Sequence, residues 1–148
     1  MPSVEHTAVV NAPIENVWQY LEKMSNWAPF LKGYQKHEEI NDKESVWTLK
    51  GDVGVLSRIV EIKITITEWI EMQKISFELE GITEKVTGNG TFVPSAKSSD
   101  STELFFEFNI SAGGLIGPVA NVLMKPMLKP VAMDMGDGIK KDIETGRA

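Results

Sequence analysis

The sequence contains no cysteine, and that absence excludes several classes of site at once. Disulfides, thiolate zinc sites and cysteine nucleophiles all need a residue that none of the 148 positions supplies. Histidine is nearly as scarce. His6 and His37 are the two, their spacing fits no metal-ligand set, and we expect both to be solvated imidazoles at strand edges. Neither a Gly-x-Ser-x-Gly elbow nor a phosphate-binding glycine loop is present. We therefore predict no metal and no cofactor. No catalytic residue is assigned, and catalysis through Arg58 with a tyrosine or a carboxylate stays open.

Positive charge and long apolar runs are also in short supply. Lysine and arginine number 15 against 21 acidic residues, which gives a formal net charge of -6. A surface of this sign repels a phosphate backbone, so we expect no nucleic-acid partner. The longest uncharged apolar stretch, 113–124, is shorter than the roughly 20 residues that cross a bilayer. The N-terminus shows no signal-like run, and the resulting expectation is a cytoplasmic protein.

Hydrophobic periodicity predicts a strand, two short helices, six more strands and a long C-terminal helix. Residues 56–69 are predicted to form one strand, in which apolar and polar side chains alternate from 60 to 67. At about 3.3 Å a residue the strand is roughly 46 Å long, so it must bend around something. A polar surface loop is expected from Pro94 to Ser101. The order predicts one α+β domain over residues 1–148. The residues expected on its buried face include Val60, Ile62, Ile64, Ile66, Leu104, Phe106 and Phe108.

The C-terminal helix carries apolar residues every four positions from Val119 to Ile143. Pro126 and Pro130 interrupt it, and we expect a break or kink between 124 and 131.

Two parts of the sequence carry a resemblance to a known superfamily. The run Asn11-Ala12-Pro13-Ile14-Glu15-Asn16-Val17-Trp18-Gln19-Tyr20-Leu21 resembles the opening signature of the START-like polyketide cyclase (SRPBCC) superfamily, and the spacing to 27–34 is similar. Within it, residues 47–54 and 113–121 are similar to the CoxG-like proteins, the carbon-monoxide-dehydrogenase group of the superfamily. The resemblance implies a helix-grip fold, in which a curved seven-stranded antiparallel sheet surrounds the C-terminal helix and leaves an apolar cavity. It also implies ligands such as lipids, sterols, quinones, plant hormones or polyketides.

Three features of the sequence suggest how that cavity is built. Strand parity turns Gly88 and Gly90 inward, where the missing volume must be filled by a neighbour, a ligand or a kink, and a cavity and a bend of the sheet can occur together. The same parity turns Arg58 inward, to bind a carboxylate or quinone oxygen or to pair with a glutamate. Trp27, Phe30 and Trp47 are candidates for the mouth of the cavity or for the core. The predicted lining comprises Trp27, Phe30, Trp47, Arg58, Ile62, Ile64, Phe77, Gly88, Gly90, Phe92, Phe106, Met127 and Met135.

These observations predict a protein that binds an apolar small molecule, of lipid, quinone or polyketide type, between the sheet and the helix. Two alternatives stay open. A cyclase- or dehydratase-like enzyme would carry an acid or base in the pocket. An adaptor for a carbon-monoxide-dehydrogenase-type enzyme would expose an apolar patch, for which residues 115–129 are the candidate contact with a membrane surface or a protein. The oligomeric state is left open.

Overall fold

The computed structural model describes residues 3–31, 33–53, 56–82, 85–113 and 117–146. Side chains at 51–53, 56–58, 117–120, 123, 124 and 127 lie outside that description. The strands are β1 Ser3–Val10, β2 Tyr34–Glu39, β3 Glu44–Val53, β4 Leu56–Ile70, β5 Lys74–Gly81, β6 Val86–Ser98 and β7 Ser101–Ala112. The helices are α1 Ile14–Leu21, α2 Met24–Trp27 and α3 Gly117–Glu144, with a 3-10 turn at Ala28–Phe30.

All seven strands form one antiparallel sheet, in the order β1-β7-β6-β5-β4-β3-β2. Strands β2 to β7 follow one another as a meander, and β1 pairs with the free edge of β7. The sheet curves around α3, which contacts β1, β7 and β3. This arrangement confirms the predicted α+β helix-grip fold. None of the described helices combines the length and apolarity that a membrane crossing requires.

The predicted strand register is confirmed in the middle of the sheet. Ile62, Ile64 and Phe106 are buried on the face that α3 covers. Ile66 and Leu104 are buried beside them. Val60 and Phe108, which were expected to be buried as well, are half-buried.

The polar loop expected from Pro94 to Ser101 is wrong, because β6 continues to Ser98 and turns at residues 99–100. Pro94 pairs with Leu104 of β7. Pairing between β5 and β6 stops at Ile75 and Phe92, so the N–H that Pro94 lacks has no partner to lose on that side. The strand can therefore pass through a proline that the sequence suggested would end it.

The C-terminal helix has no break, since α3 continues through Pro126 and Pro130, so that half of the prediction is wrong and a kink between 124 and 131 stays a prediction. Each proline removes one backbone hydrogen bond, but its φ of about -65° is compatible with a helix. Two glycines further along let α3 approach its neighbours closely. A Cβ on Gly136 would lie 2.8 Å from Cδ2 of His6, and one on Gly138 would lie 2.6 Å from Cε1 of Phe30.

Candidate functional site

One end of the concave face of the sheet is filled by aromatic side chains. The ring of Trp27 lies 4.9 Å from that of Phe92 and 5.5 Å from that of Trp47, both edge to face. Both indole N–H groups are paired, with the carbonyl oxygen of Leu21 at 3.0 Å and with Oγ of Ser45 at 3.1 Å. Their burial therefore leaves no donor unsatisfied. We call this the aromatic cluster, and its members are Trp27, Trp47, Phe77, Phe92 and Phe106.

The aromatic cluster places two predicted mouth residues on the floor of the concave face. Trp27 and Trp47 are 1% and 2% exposed. Phe30, three residues after Trp27 in the chain, is half-buried and packs against Gly138 of α3. Ile62, Ile64 and Met135 are likewise buried in the core.

The two inward glycines of β6 do not leave empty space above them. A Cβ on Gly90 would lie 2.7 Å from Cδ1 of Phe108 and 2.8 Å from Cε1 of Phe77, so two rings already fill that volume. A Cβ on Gly88 would collide with the backbone carbonyl of Asn109. Neighbouring side chains and backbone therefore occupy this space, which is one of the ways in which the sequence allowed it to be filled.

At the other end of the concave face, inward apolar side chains remain accessible to solvent. They share the face of the buried core but are only half-buried, and they are Leu49, Val60, Leu79, Val86, Phe108 and Ile110. We call this set the open row. Covering solvent-accessible apolar side chains of a concave surface with an apolar molecule is favourable, because it removes apolar surface from water.

A polar pair that the sequence did not predict lies at the edge of the open row. The hydroxyl of Tyr34 makes a short hydrogen bond with Nδ1 of His37, and the two rings lie 5.8 Å apart. His37 had been expected as a solvated imidazole, but its side chain is 20% exposed. Nε2 of His37 lies 4.0 Å from a carboxylate oxygen of Glu39. Burial raises the pKa of the Tyr34 phenol above its usual range.

Two of the predicted ligand contacts, Arg58 and Met127, have side chains outside the described part of the structure. Arg58 pairs with Gly51 through the backbone, two residues along β4 from Val60, and its side chain lies outside the described part. The side chain of Met127 and much of the stretch 115–129 lie outside it too. In the part that the structure describes, no group of three or more acidic or histidine side chains could hold a metal ion.

Comparison with known proteins identifies the kind of chain that carries this site. A family model described as "Polyketide cyclase / dehydrase and lipid transport" matches residues 1–144. No curated protein matches the sequence significantly.

Solved structures share the fold at low sequence identity. A conserved protein from Geobacillus kaustophilus superposes with a TM-score of 0.80 at 16% identity, over 97% of this chain and 95% of that one. The Zhui aromatase/cyclase from Streptomyces sp. R1128 gives 0.69 at 18% identity, over 96% and 93%. Norcoclaurine synthase from Thalictrum flavum, solved as a point mutant with a transition-state analogue, gives 0.68 at 16% identity, over 99% and 96%. At these identities the likeness establishes the fold alone.

Proposed function

The chain belongs to the polyketide cyclase, dehydrase and lipid transport family, and from this premise we propose that it binds an apolar small molecule of lipid, quinone or polyketide type. The binding surface is the open row, between the sheet and the N-terminal part of α3. The aromatic cluster fills the other end of the same face.

The observation that carries the proposal is the half-burial of inward apolar side chains. A sheet face that is simply packed against a helix buries its apolar positions, as Ile64 and Phe106 show at the closed end. At the open row the same face stays accessible over several strands. Each 100 Å² of apolar surface that a ligand covers there would contribute about 2.5 kcal/mol to binding.

Three finer points belong to the same proposal. Arg58 and Met127 would meet the ligand from β4 and α3, as the strand parity and the helix pattern suggest. The similarity of 47–54 and 113–121 to the CoxG-like proteins supports a relationship to that group within the family. We also propose that the protein acts in the cytoplasm. Fractionation of cells that express an epitope-tagged copy tests this.

A cyclase- or dehydratase-like activity is the second candidate function. The observation that favours it is the hydroxyl–imidazole contact of Tyr34 and His37 beside the open row. A proton donor and acceptor at the edge of an apolar surface is what acid–base chemistry on a bound ligand requires.

The binding proposal is tested with adjacent residues on opposite faces of β4. Val60 faces inward and is half-buried, whereas Ile59 faces outward and is 67% exposed. We expect Val60→Asp to weaken binding of the neutral fluorescent probe N-phenyl-1-naphthylamine at least tenfold, and Ile59→Asp to leave it unchanged. Native mass spectrometry of the purified protein looks for a co-purified ligand in parallel. Equal effects of the two variants, or no probe binding by the parent protein, would refute the proposal.

A further inference from the structure

We infer that Tyr34 and His37 form a proton-accepting anchor for an apolar ligand that carries a phenol or enol hydroxyl. The inference rests on the proposed function, because the anchor needs a ligand seated on the open row. It goes further by assigning the polar contact and the chemical class of the ligand.

A bulge in the edge strand brings the two side chains together. Residues three apart in a regular strand point to opposite faces. In β2, however, Tyr34 pairs with Leu49 and Lys36 with Thr48, so Gln35 is an extra residue without a partner. The bulge turns Tyr34 and His37 to the same side, and their hydrogen bond follows from it.

That side is the concave one. His37 pairs with Trp47 and Tyr34 pairs with Leu49, and directly opposed residues share a face. Leu49 in turn pairs with Val60, so one line of side chains runs from the Tyr34 phenol across the open row. A ligand covering Leu49 and Val60 would have the Tyr34 oxygen at its edge.

We assign the direction of this hydrogen bond from the neighbouring carboxylate. Glu39 lies 4.0 Å from Nε2 of His37 and favours the imidazole proton on that nitrogen. Nδ1 then has a lone pair, and the Tyr34 hydroxyl donates to it. The phenol oxygen keeps its own lone pairs for the ligand, so it accepts from an O–H group and has no proton left for a carbonyl.

The same arrangement can move a proton without leaving a charge on the tyrosine. The ligand hydroxyl transfers its proton to the Tyr34 oxygen, while the Tyr34 proton passes to Nδ1 of His37. The products are a ligand phenolate or enolate, a neutral phenol and an imidazolium near the Glu39 carboxylate. Burial of Tyr34 disfavours a tyrosinate, which suits a side chain that relays a proton and does not hold the charge.

The test compares three ligands of similar apolar area: naphthalene, 2-naphthol and 1,4-naphthoquinone. Each displaces N-phenyl-1-naphthylamine from the parent protein, from Tyr34→Phe and from His37→Leu, with Tyr20→Phe as a tyrosine control away from the concave face. We expect the parent to prefer 2-naphthol over naphthalene by about 3- to 10-fold, the effect of one hydrogen bond. Tyr34→Phe should remove that preference and keep the affinity for naphthalene. Tyr20→Phe should keep both.

His37→Leu separates an anchor from a structural role. Without the Nδ1 acceptor, the Tyr34 hydroxyl is free to donate, so the affinity for 1,4-naphthoquinone should rise relative to naphthalene. NMR of the ¹⁵N-histidine-labelled protein gives a second readout. 2-Naphthol should shift the His37 Nδ1 resonance, naphthalene should not, and His6 is the internal reference.

The outcomes distinguish this inference from the proposal on which it rests. If the parent binds none of the three ligands, the proposed function is refuted and the anchor with it. If the parent binds naphthalene but Tyr34→Phe still prefers 2-naphthol, or if the parent prefers the quinone, the anchor alone is refuted. Circular dichroism melts confirm that each variant is folded.

Discussion

Gly90→Ala is expected to destabilise the fold, because the added Cβ enters space that two phenyl rings occupy. It would lie 2.7 Å from Cδ1 of Phe108 and 2.8 Å from Cε1 of Phe77, and Cζ of Phe77 would be closer still. These distances are well inside van der Waals contact. Neighbours restrain both rings. Phe77 lies 5.5 Å from Trp27, and Phe108 lies 5.4 Å from Phe106, between ring centres. Overpacking of this kind costs about 1–3 kcal/mol of unfolding free energy.

The cost is measured by thermal denaturation followed by circular dichroism. In a protein of this size each kcal/mol shifts Tm by about 2–4 °C, so Gly90→Ala should melt about 2–12 °C below the parent. Gly88→Ala should cost more, because its Cβ meets the carbonyl oxygen of Asn109, and the backbone must move to relieve that contact.

Gly113→Ala is the matched control. Its Cβ would lie 3.5 Å from Cβ of Lys85, which is ordinary contact, so we expect Tm to be unchanged or slightly raised. Phe108 is half-buried, so the added Cβ should displace this ring toward the open row at a cost in stability and also weaken binding of N-phenyl-1-naphthylamine. If Gly90→Ala melts with the parent and binds the probe equally well, the rings do not fill this space and the reasoning fails.

Three further predictions concern stability. Burial, together with the Asp142 carboxylate 2.8 Å from the Tyr20 hydroxyl, raises the pKa of Tyr20, so stability present below about pH 10 should fall as the pH rises further. Urea denaturation should show a loss of up to about 1.4 kcal/mol per pH unit, smaller in Tyr20→Phe. Thr102→Val should cost about 1–3 kcal/mol in urea denaturation, since its buried hydroxyl donates to the Ala12 carbonyl at 2.8 Å, and Thr102→Ser should recover most of it. Pro130→Ala restores a backbone donor inside a continuous helix, so the free energy of unfolding should rise by up to about 3 kcal/mol. Differential scanning calorimetry should show this as a higher Tm.

The alternation of side chains predicted the fold because each long strand has one face against the helix. In β4, Ile62 and Ile64 are buried, whereas Glu61 and Thr67 on the other face are exposed. A one-residue slip would reverse the two faces of the strand, so the hydrophobic pattern determines the register.

The prolines were misinterpreted because their effect depends on neighbours that a local pattern does not contain. Pro94 is tolerated since the pairing of β6 with β5 stops at Phe92, and Pro130 is tolerated since the residues after it bury one side of α3. Both facts concern contacts between distant parts of the chain.

The polar anchor was missed for a similar reason. Tyr34 and His37 stand three apart, which in a regular strand would separate them by the thickness of the sheet. The bulge at Gln35 follows from how β2 pairs with β3, and the alternation of side chains along β2 alone does not contain that pairing. Likewise, the inward positions of Gly88 and Gly90 were predicted, but whether rings or a ligand fill the space above them depends on neighbouring strands.

The two ends of the concave face should respond differently to mutation, and this difference separates folding from binding. Rings of the aromatic cluster pack on one another, so truncating Phe92 should lower Tm more strongly than it lowers ligand affinity. Side chains of the open row contact water on one side, so a polar substitution at Leu79 should lower ligand affinity with a smaller loss of stability. At the edge strand, changes to Tyr34 should alter the choice among ligands and leave apolar affinity intact. Specificity would then lie in β2, the strand that contributes least to the core, where substitution costs the fold least.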